Sequence, residues 1–583
     1  MQGALVEFGV VALMMGLMVA IGAATKRLNS NTDDFFRGGC KAAWWLVGMG
    51  AFMSSVSAYT FTGIGGMAYR TGWSVLGLYF GGILALLLHY AFLAAWFRQL
   101  RVTTFPEALR TRFGPVTEQV FALAMMFMYL VGASVWVLGL SFFSSAVFGL
   151  PVLLVIPVVG LTALAYATAG GRWAVMATDF VQGLILVVIA GTLTVLCLLH
   201  TGGLGGFFEA IRASGHAGEF QFINPEAERT GGQFSLKWIF AMAILQFTQL
   251  ASLFQSVRYF SVTDGRAARR AALLTLCLLI FTLPLWFIPP MTARIFFEPL
   301  VGAVDLPKPQ EAAYAVTSLE LLPMGLVGMM VFAMFAATLS SLDTALNGNA
   351  AIMVRNVLPM CFRKLGRDLP EESRLLVWSR YFTLGFGAMV VGGAMLIGMQ
   401  DEVGIFDIAI AITAYLVTPM AIPLILGLFF RRAPGWSCLA AAGAALLPSL
   451  GQLVWPELFT FNERVFLTAA IGSIVFVAST RFPETGAKQQ RIDEFFRNMR
   501  RPVDFEREVG QANNAEQLRL IGVFALAVGV FLLALLLLPN PFGGRMAILG
   551  SAVTVLLVGA LFLWRAKSSR EAVRRAGAVA ARG

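Results

Sequence analysis

The sequence predicts an all-α polytopic membrane protein. Of the 583 residues, 58% are hydrophobic and 13% are charged, and the mean hydropathy is +0.77. Apolar runs of about twenty residues, the length that crosses a bilayer as a helix, recur along the whole chain. No phosphate-binding loop or H-E-x-x-H motif is present, and the chain has only 3 histidines. These observations favour a membrane protein that is not an enzyme.

The apolar runs predict about fifteen membrane helices. Their approximate bounds are 4–24, 44–66, 72–96, 117–148, 151–169, 176–199, 238–257, 272–292, 319–350, 376–399, 403–430, 434–454, 463–479, 519–538 and 544–564. The first run has no Lys or Arg before Lys26, so it is expected to be a retained helix rather than a cleaved signal.

The basic residues predict the orientation of these helices. With the N-terminus outside and the spans alternating, roughly four fifths of the 43 Lys and Arg residues lie in inside loops, and the C-terminus is cytoplasmic. Basic loops beside anionic membrane lipid account for the net charge of +11, so no nucleic-acid partner is needed. The 5 cysteines lie in spans or predicted cytoplasmic loops and indicate no disulfide framework.

The predicted helix at 319–350 carries a polar face inside an apolar sequence. At 3.6 residues per turn, that face contains Ala337, Ser340, Ser341, Thr344 and Asn347, and Asp343 borders it. An aspartate at the bilayer centre costs about 2.5 to 3.5 kcal/mol, so it normally faces the bundle interior or an aqueous path. The helix is therefore expected to offer hydroxyls and a carboxylate to a shared polar space.

The predicted helix at 44–66 has serine, threonine and glycine in its middle. In transporters, such a segment is often a broken helix whose free carbonyls coordinate a cation while its hydroxyls contact solute. Small residues also allow two membrane helices to pack closely without any ligand. Both interpretations are open from the residues alone.

Five motifs, in order along the chain, resemble those of the sodium:solute symporters. They are Trp44-Trp45-x-Val47-Gly48, the run 105–114, Gly170-Gly171-Arg172-Trp173 continuing to Gln182, Ser340-Ser341-Leu342-Asp343-x-Ala345-Leu346-Asn347, and Ile405-Phe406-Asp407 continuing to Arg432. The resemblance runs from about residue 30 to 435, most of the chain.

The resemblance implies a LeuT-type core made of two five-helix inverted repeats. The implied organisation is a peripheral helix with a cytoplasmic loop at 1–43, repeat one at 44–199, an outside loop at 200–237, repeat two at 238–432, and peripheral helices at 433–583 that include a cytoplasmic segment at 480–518 and a basic C-terminal tail.

The resemblance also implies a sodium site where the first helix of repeat one meets the third helix of repeat two. Met53, Val56 and Ala337 would offer backbone carbonyls, and Ser340 and Ser341 would offer hydroxyls. Neutral oxygens suit sodium, although serines in membrane helices also commonly bond back to their own helix. Asp179 matches the family's carboxylate that lies on the sodium path or forms a second sodium site.

The solute site is less well defined. Its candidate residues are Ser54, Ser55, Ser57, Tyr59, Thr60, Gln246, Gln249, Asp343 and Thr413. The two glutamines could instead bond to neighbouring helices, and Asp343 could instead orient its helix. Sugar-transporting members carry polar residues, often Asn and Gln, at the positions of Ser55 and Ile410, so a hexose is disfavoured. Proline-transporting members carry an aspartate at the Ser55 position, so close kinship to them is doubtful.

Two expected features are missing from the sequence. The predicted span 238–257 has no Gly or Pro in its middle to mark a break, and no Arg or Lys lies in the middle of a predicted span to bind a carboxylate. For Asp407, a structural hydrogen bond or a role at a helix start is at least as consistent with the sequence as a contact with the solute.

The predicted function is sodium-driven uptake of a small polar solute by alternating access at a bacterial cytoplasmic membrane, with Na+ as the coupling ion. One alternative is a proton-coupled symporter that uses Asp179, Asp343 or Asp407. A transporter-like sensor and a passive channel are further alternatives. The oligomeric state stays open.

Overall fold

The computed structural model describes residues 2–25, 40–102, 104–167, 172–223, 234–400, 404–510 and 514–580. In these ranges the chain is helical, and the extended segments pair only at an isolated parallel bridge between Ala42 and Val262. Parts of six predicted features lie outside the described residues: the loop after the first helix (26–39), the start of the Gly170 motif (168–171), the outside loop (224–233), the start of the span 403–430 (401–403), the cytoplasmic segment (511–513) and the C-terminal tail (581–583).

The helices of the first half are α1 (Gln2–Thr25), α2 (Trp44–Met53), α3 (Gly65–Thr71), α4 (Phe80–Leu88), α5 (Ala94–Gln99), α6 (Phe105–Phe113), α7 (Pro115–Phe148), α8 (Val152–Ala167), α9 (Arg172–His200), α10 (Gly203–Ala213), α11 (Leu236–Ala251) and α12 (Gly265–Phe296). Short π or 3-10 turns join several of them: Thr60–Ile64, Gly72–Tyr79, His89–Leu93 and Leu253–Tyr259.

The helices of the second half are α13 (Glu298–Gly302), α14 (Ala313–Leu321), α15 (Leu326–Ile352), α16 (Leu358–Lys364), α17 (Glu372–Gly398), α18 (Ile405–Ile412), α19 (Thr418–Leu426), α20 (Ser437–Val454), α21 (Phe461–Ser479), α22 (Gly486–Arg500), α23 (Phe505–Glu508), α24 (Asn514–Ala534) and α25 (Phe542–Ala580). Short turns connect them at Pro309–Ala312, Met353–Val357, Thr413–Val417 and Leu535–Leu537.

Many of these helices are membrane-length and apolar. In the described part of the chain, 11 helices are long and apolar enough to cross a membrane, or up to 12 if α11 and the turn after it form one bent span. Three shorter apolar helices cover Leu5–Ala20, Trp44–Met53 and Val152–Ala165. The polytopic all-α prediction is confirmed. The total of about fifteen spans, the domain bounds and the outside N-terminus stay predictions.

Two helices break in the middle of the bundle. After α2 ends at Met53, the chain resumes helical structure at Ala58 and continues through Thr60–Ile64, which agrees with the broken-helix interpretation of the serine-rich sequence. α11 bends by 48° at Ser252, which has an extended backbone with φ −75° and ψ 164°. No glycine or proline marks this second break, so it was not expected from the sequence.

Polar side chains explain how α11 breaks without a glycine. The Ser252 hydroxyl donates to the Gln249 carbonyl at 3.2 Å, and the Gln255 amide donates to the same carbonyl at 3.3 Å. These bonds replace the helical bond that the bend removes, so the freed carbonyl keeps its partners. A serine flanked by two glutamines at three-residue spacing was the available sequence signal.

α15 lies at the centre of the bundle. Every residue from Leu326 to Asp343 is buried, and the helix packs against α1, α7, α9 and α17. Its first turn is held by Glu7 of α1, whose carboxylate accepts from the Gly325 N–H at 2.7 Å and the Gly328 N–H at 2.5 Å. This bond satisfies backbone donors that a helix start leaves free.

Candidate functional site

The break after α2 places a short non-helical segment deep inside the bundle. The N–H groups of Ser55 and Val56 bond to carbonyls three residues back, at 2.9 and 3.1 Å, instead of continuing the α-helical pattern. Met53 and Val56 are both buried. The Phe52 and Met53 carbonyls are therefore held within this segment, whereas the Val56 carbonyl bonds to a neighbouring helix.

The middle of α15 meets this break through two hydrogen bonds. The Ser341 hydroxyl donates to the Val56 carbonyl at 3.3 Å, and the Ala58 N–H donates to the Thr338 hydroxyl at 3.1 Å. The carbonyl and the hydroxyl assigned to sodium by the resemblance are thus neighbours, although 285 residues separate them in sequence.

Ser340 differs from most other hydroxyl residues of these helices. Its Oγ is buried and, among the described residues, has no hydrogen-bond partner. Ser54 and Ser55 bond back to their own helix, at 2.8 Å to the Gly50 carbonyl and 2.7 Å to the Phe52 carbonyl. A buried hydroxyl without a partner is costly, so this oxygen fits a cation ligand better than a back-bonded serine.

Two carboxylates flank this region from α9 and α15. Asp179 Oδ2 lies 3.4 Å from the position that a Cβ on Gly50 would occupy, so the carboxylate packs against the glycine face of α2. Asp343 is buried and its Oδ1 has no hydrogen-bond partner among the described residues. The charges of Asp179 and Asp343 are close enough to interact. Two buried carboxylates repel each other, and a bound cation or a proton would relieve that repulsion.

A cavity of about 380 Å³ opens beside the break. The predicted solute residues that line it are Ser54, Ser55, Ser57, Tyr59, Thr60, Gln246, Gln249 and Thr413. Val56, Ser341 and Asp179, assigned to sodium by the resemblance, also line it. The structure therefore brings the predicted ion and solute residues to a shared wall.

Some predicted residues lie behind that wall. Met53, Ala337, Ser340 and Asp343 do not line the cavity. For the first three this is compatible with an ion site beneath the solute. For Asp343 it favours a role toward the ion or its own helix over solute contact.

Arg258 is a cavity residue that the sequence reasoning missed. It lies one residue beyond the predicted span 238–257, in the turn after the break in α11, and lines the cavity. Its guanidinium donates to the Ala51 carbonyl at 3.0 Å. This bond joins the turn Leu253–Tyr259, after the break in α11, to α2, before the other break. Arg258 was missed because it lies just beyond the predicted span, and helical structure continues past the apolar run and carries it to the cavity.

Glu311 holds the start of α18, the helix that leads to the cavity residues Ala409 and Thr413. Its carboxylate accepts from the Ile405 N–H at 2.9 Å, at the start of α18. The pKa of Glu311 is raised to about 8, chiefly by burial. The bond from the Ile405 N–H lowers this pKa, and the negative charge of nearby Asp407 raises it. Asp407 itself is exposed in the first turn of α18 and does not line the cavity, which supports its helix-start role.

A polytopic helical bundle with two broken helices around a cavity that polar and apolar residues line together is typical of secondary transporters. The family model of the sodium:solute symporter family matches residues 35–442. The chain belongs to this family: it is a membrane transporter rather than an enzyme, with Na+ as its coupling ion.

Named relatives agree with this assignment. The chain is 26% identical over 473 residues to the sodium/sialic acid symporter NanT of Aliivibrio fischeri, covering 79% of this chain and 90% of that protein. It is 24% identical to the sodium/sialic acid symporter SiaT of Proteus mirabilis, covering 82% and 94%. It is 28% identical to the sodium/myo-inositol cotransporter 2 of Sus scrofa, covering 77% and 70%.

Solved structures support the fold. A Na+-coupled sialic acid symporter in a substrate-bound outward-open state superposes with a TM-score of 0.68 at 19% identity, covering 82% of this chain and 98% of that one. A closed transporter of the nucleobase-cation-symport-1 family gives a TM-score of 0.51 at 13% identity, covering 80% and 99%. At these identities the comparison concerns architecture alone, and it confirms the predicted fold class.

Proposed function

We propose that the chain drives uptake of a small polar organic solute across a bacterial cytoplasmic membrane by alternating access. In this proposal the N-terminus lies outside and sodium enters with the solute. The observation that carries the proposal is the bond from Ser341 to the Val56 carbonyl at the cavity wall, next to the Ser340 hydroxyl, which has no partner among the described residues.

The sodium site would use neutral oxygens. The ligands proposed are the carbonyls of Met53, Val56 and Ala337 and the hydroxyls of Ser340 and Ser341. Such ligands hold sodium weakly enough to release it. Asp179 would attract the ion from one side, either along its path or at a second sodium site.

Coupling would arise because ion and solute share the broken segment of α2. Sodium bound at Val56 and Ser341 would fix the cavity wall that the solute contacts, so each would strengthen binding of the other. One sodium crossing 100 mV gains about 2.3 kcal/mol, and a tenfold gradient adds about 1.4 kcal/mol. One sodium per neutral solute therefore supports roughly 500-fold accumulation.

The cavity wall favours a solute rich in hydrogen-bonding groups. Hydroxyls from the α2 break and amides of Gln246 and Gln249 from α11 face the same space. Relatives are named for sialic acid and myo-inositol, so these compounds head the panel to be tested. Ser55 and Ile410 both line the cavity, which keeps hexoses disfavoured.

Proton coupling is the second candidate. It is favoured by one observation: the buried Asp343 carboxylate has an unpartnered oxygen and lies near Asp179. A proton on either carboxylate would remove their repulsion, as a sodium ion would.

Thermal unfolding of the detergent-purified protein separates these candidates. Sodium chloride is compared with choline chloride at equal ionic strength, because a ligand of the folded state raises the midpoint by mass action. Sodium should stabilise the wild type but not Ser340→Ala. The control is Ser318→Ala, which removes a buried hydroxyl that donates to the Tyr314 carbonyl. This variant should keep the sodium response. Equal midpoints in sodium and choline would instead support coupling through the carboxylates. Solutes that stabilise only in sodium become the lead substrates.

A further inference from the structure

A pocket separate from the central cavity lies at the end of the bundle that the basic loops predict to be cytoplasmic. Its volume is about 330 Å³, and it lies between the turn after α19 and the amphipathic helix α22. Four arginines line it: Arg431, Arg497, Arg500 and Arg501. We name it the arginine pocket.

The arginine pocket has an excess of positive charge. Its one acidic lining residue, Asp493, accepts from Arg431 at 2.7 Å and from the Gln489 amide at 2.8 Å. The bond from Arg431 holds the pKa of Asp493 below its ordinary value, so this carboxylate is already engaged with one arginine. In the described ranges, the remaining arginines have no carboxylate within ion-pair distance.

The fold holds the arginines in place. α22 buries Ile492, Phe495, Phe496 and Met499 against its neighbours α5 and α6, which leaves its arginines on the open face. Just after this helix, the Arg101 guanidinium donates to the carbonyls of Arg501 and Pro502 and forms a two-bond pair with Glu508, both at 2.8 Å. The charged groups are thus gathered by a fixed helix end rather than by a loose tail.

An apolar wall completes the arginine pocket. Phe429 lines the pocket and is 47% exposed. Its ring packs edge-to-face with the rings of Phe92 and Trp96, with centroid distances of 6.1 and 5.7 Å. Aromatic rings of this kind concentrate at the membrane interface, where one side meets acyl chains and the other meets headgroups. A free anion would need the arginines but would gain nothing from this wall.

We propose that the arginine pocket binds the phosphate of an anionic phospholipid, with the start of an acyl chain against Phe429. Arginine forks match phosphate oxygens in pairs, and basic pockets at the inner surface of membrane helices favour anionic headgroups. The site would brace α22 against α19, which continues from the cavity-lining segment of α18. This inference is independent of the ion and solute sites.

The test titrates dioleoylphosphatidylglycerol into delipidated full-length protein in a neutral detergent with choline chloride. The readout is the midpoint of thermal unfolding, with dioleoylphosphatidylcholine and inorganic phosphate as separate arms. The wild type should show saturable stabilisation by phosphatidylglycerol and none by the other two compounds. The variant Arg497→Gln/Arg500→Gln/Arg501→Gln should need at least about tenfold more lipid, which corresponds to about 1.4 kcal/mol.

The matched control is Arg363→Gln/Arg367→Gln, which removes two exposed arginines away from the pocket and should keep the wild-type response within about twofold. If the triple variant does not fold, Arg500→Gln/Arg501→Gln is judged by the same criterion, since both side chains are exposed. Equal lipid responses in wild type and variant would overturn the proposal. Stabilisation by inorganic phosphate equal to that by phosphatidylglycerol would also overturn it, in favour of a free-anion site.

Discussion

Replacing Glu311 with Gln should remove a pH-dependent restraint on α18. Glu311 is 3% exposed and its carboxylate accepts from the Ile405 N–H. Burial raises the pKa of Glu311 from an ordinary value of 4.5 to about 8. The protonated carboxyl therefore fits this arrangement better than the ionised one, and glutamine imitates the protonated form.

The sign follows from linkage between protonation and conformation. Burial raises the pKa of Glu311, so the protonated carboxyl stabilises the arrangement in which Glu311 is buried against the start of α18. This stabilisation is fully present below about pH 4.5 and is lost as the pH rises through about 8. If Glu311 has its ordinary pKa when it is exposed, the arrangement in which it is buried and bonded to the start of α18 loses about 2 kcal/mol of stability between pH 6.5 and 8.5. That is roughly a 25-fold shift toward release of the start of α18.

Amide hydrogen exchange at residues 404–412 measures this release, with rates corrected for the chemical exchange rate at each pH. The wild type should show an opening constant that rises roughly 25-fold between pH 6.5 and 8.5, and Glu311→Gln should show little change. Glu320→Gln, which changes an exposed glutamate in α14, should behave like the wild type. The reasoning is refuted if Glu311→Gln keeps the wild-type pH dependence, because a group other than Glu311 would then carry it.

Two substitutions test packing around the site by thermal unfolding in detergent. In Gly81→Ala the new methyl group would overlap the Ala243 carbonyl oxygen of α11, so the stability should fall by about 1 to 3 kcal/mol. The control Gly443→Ala has no atom within 4 Å of its new methyl group and should be neutral. Equal midpoints for the two variants would contradict the helix contact. Glu7→Gln leaves one acceptor for the N–H groups of Gly325 and Gly328 and should cost about 1 to 3 kcal/mol, and an unchanged midpoint would show that this bond does not hold α15.

Local sequence was enough for the fold class. Hydropathy is a property of neighbouring residues, so membrane-length runs could be located before any contact was known. The serines after Met53 lie in a local polar run, which made a break in the helix one of two open interpretations. The polar face of α15 likewise predicted a buried meeting point, and the Ser341 bond to Val56 lies at that point.

The features that were missed depend on contacts distant in sequence. The break at Ser252 is supported by glutamine side chains that also suit an unbroken helix. Arg258 enters the cavity because α2 supplies the Ala51 carbonyl, 207 residues away. Glu311 lies in a polar loop and is buried only because that loop folds over the start of α18.

The most direct test of the account is uptake into proteoliposomes made with the wild type or Ser340→Ala, using a radiolabelled solute that stabilises the protein only in sodium. An inward sodium gradient with a potential negative inside should drive accumulation in the wild type, and collapse of the sodium gradient should abolish it. Ser340→Ala should need a much higher sodium concentration for half-maximal uptake, while Ser318→Ala stays like the wild type. Accumulation that follows a proton gradient in the absence of sodium, or equal sodium dependence in wild type and Ser340→Ala, would contradict the account.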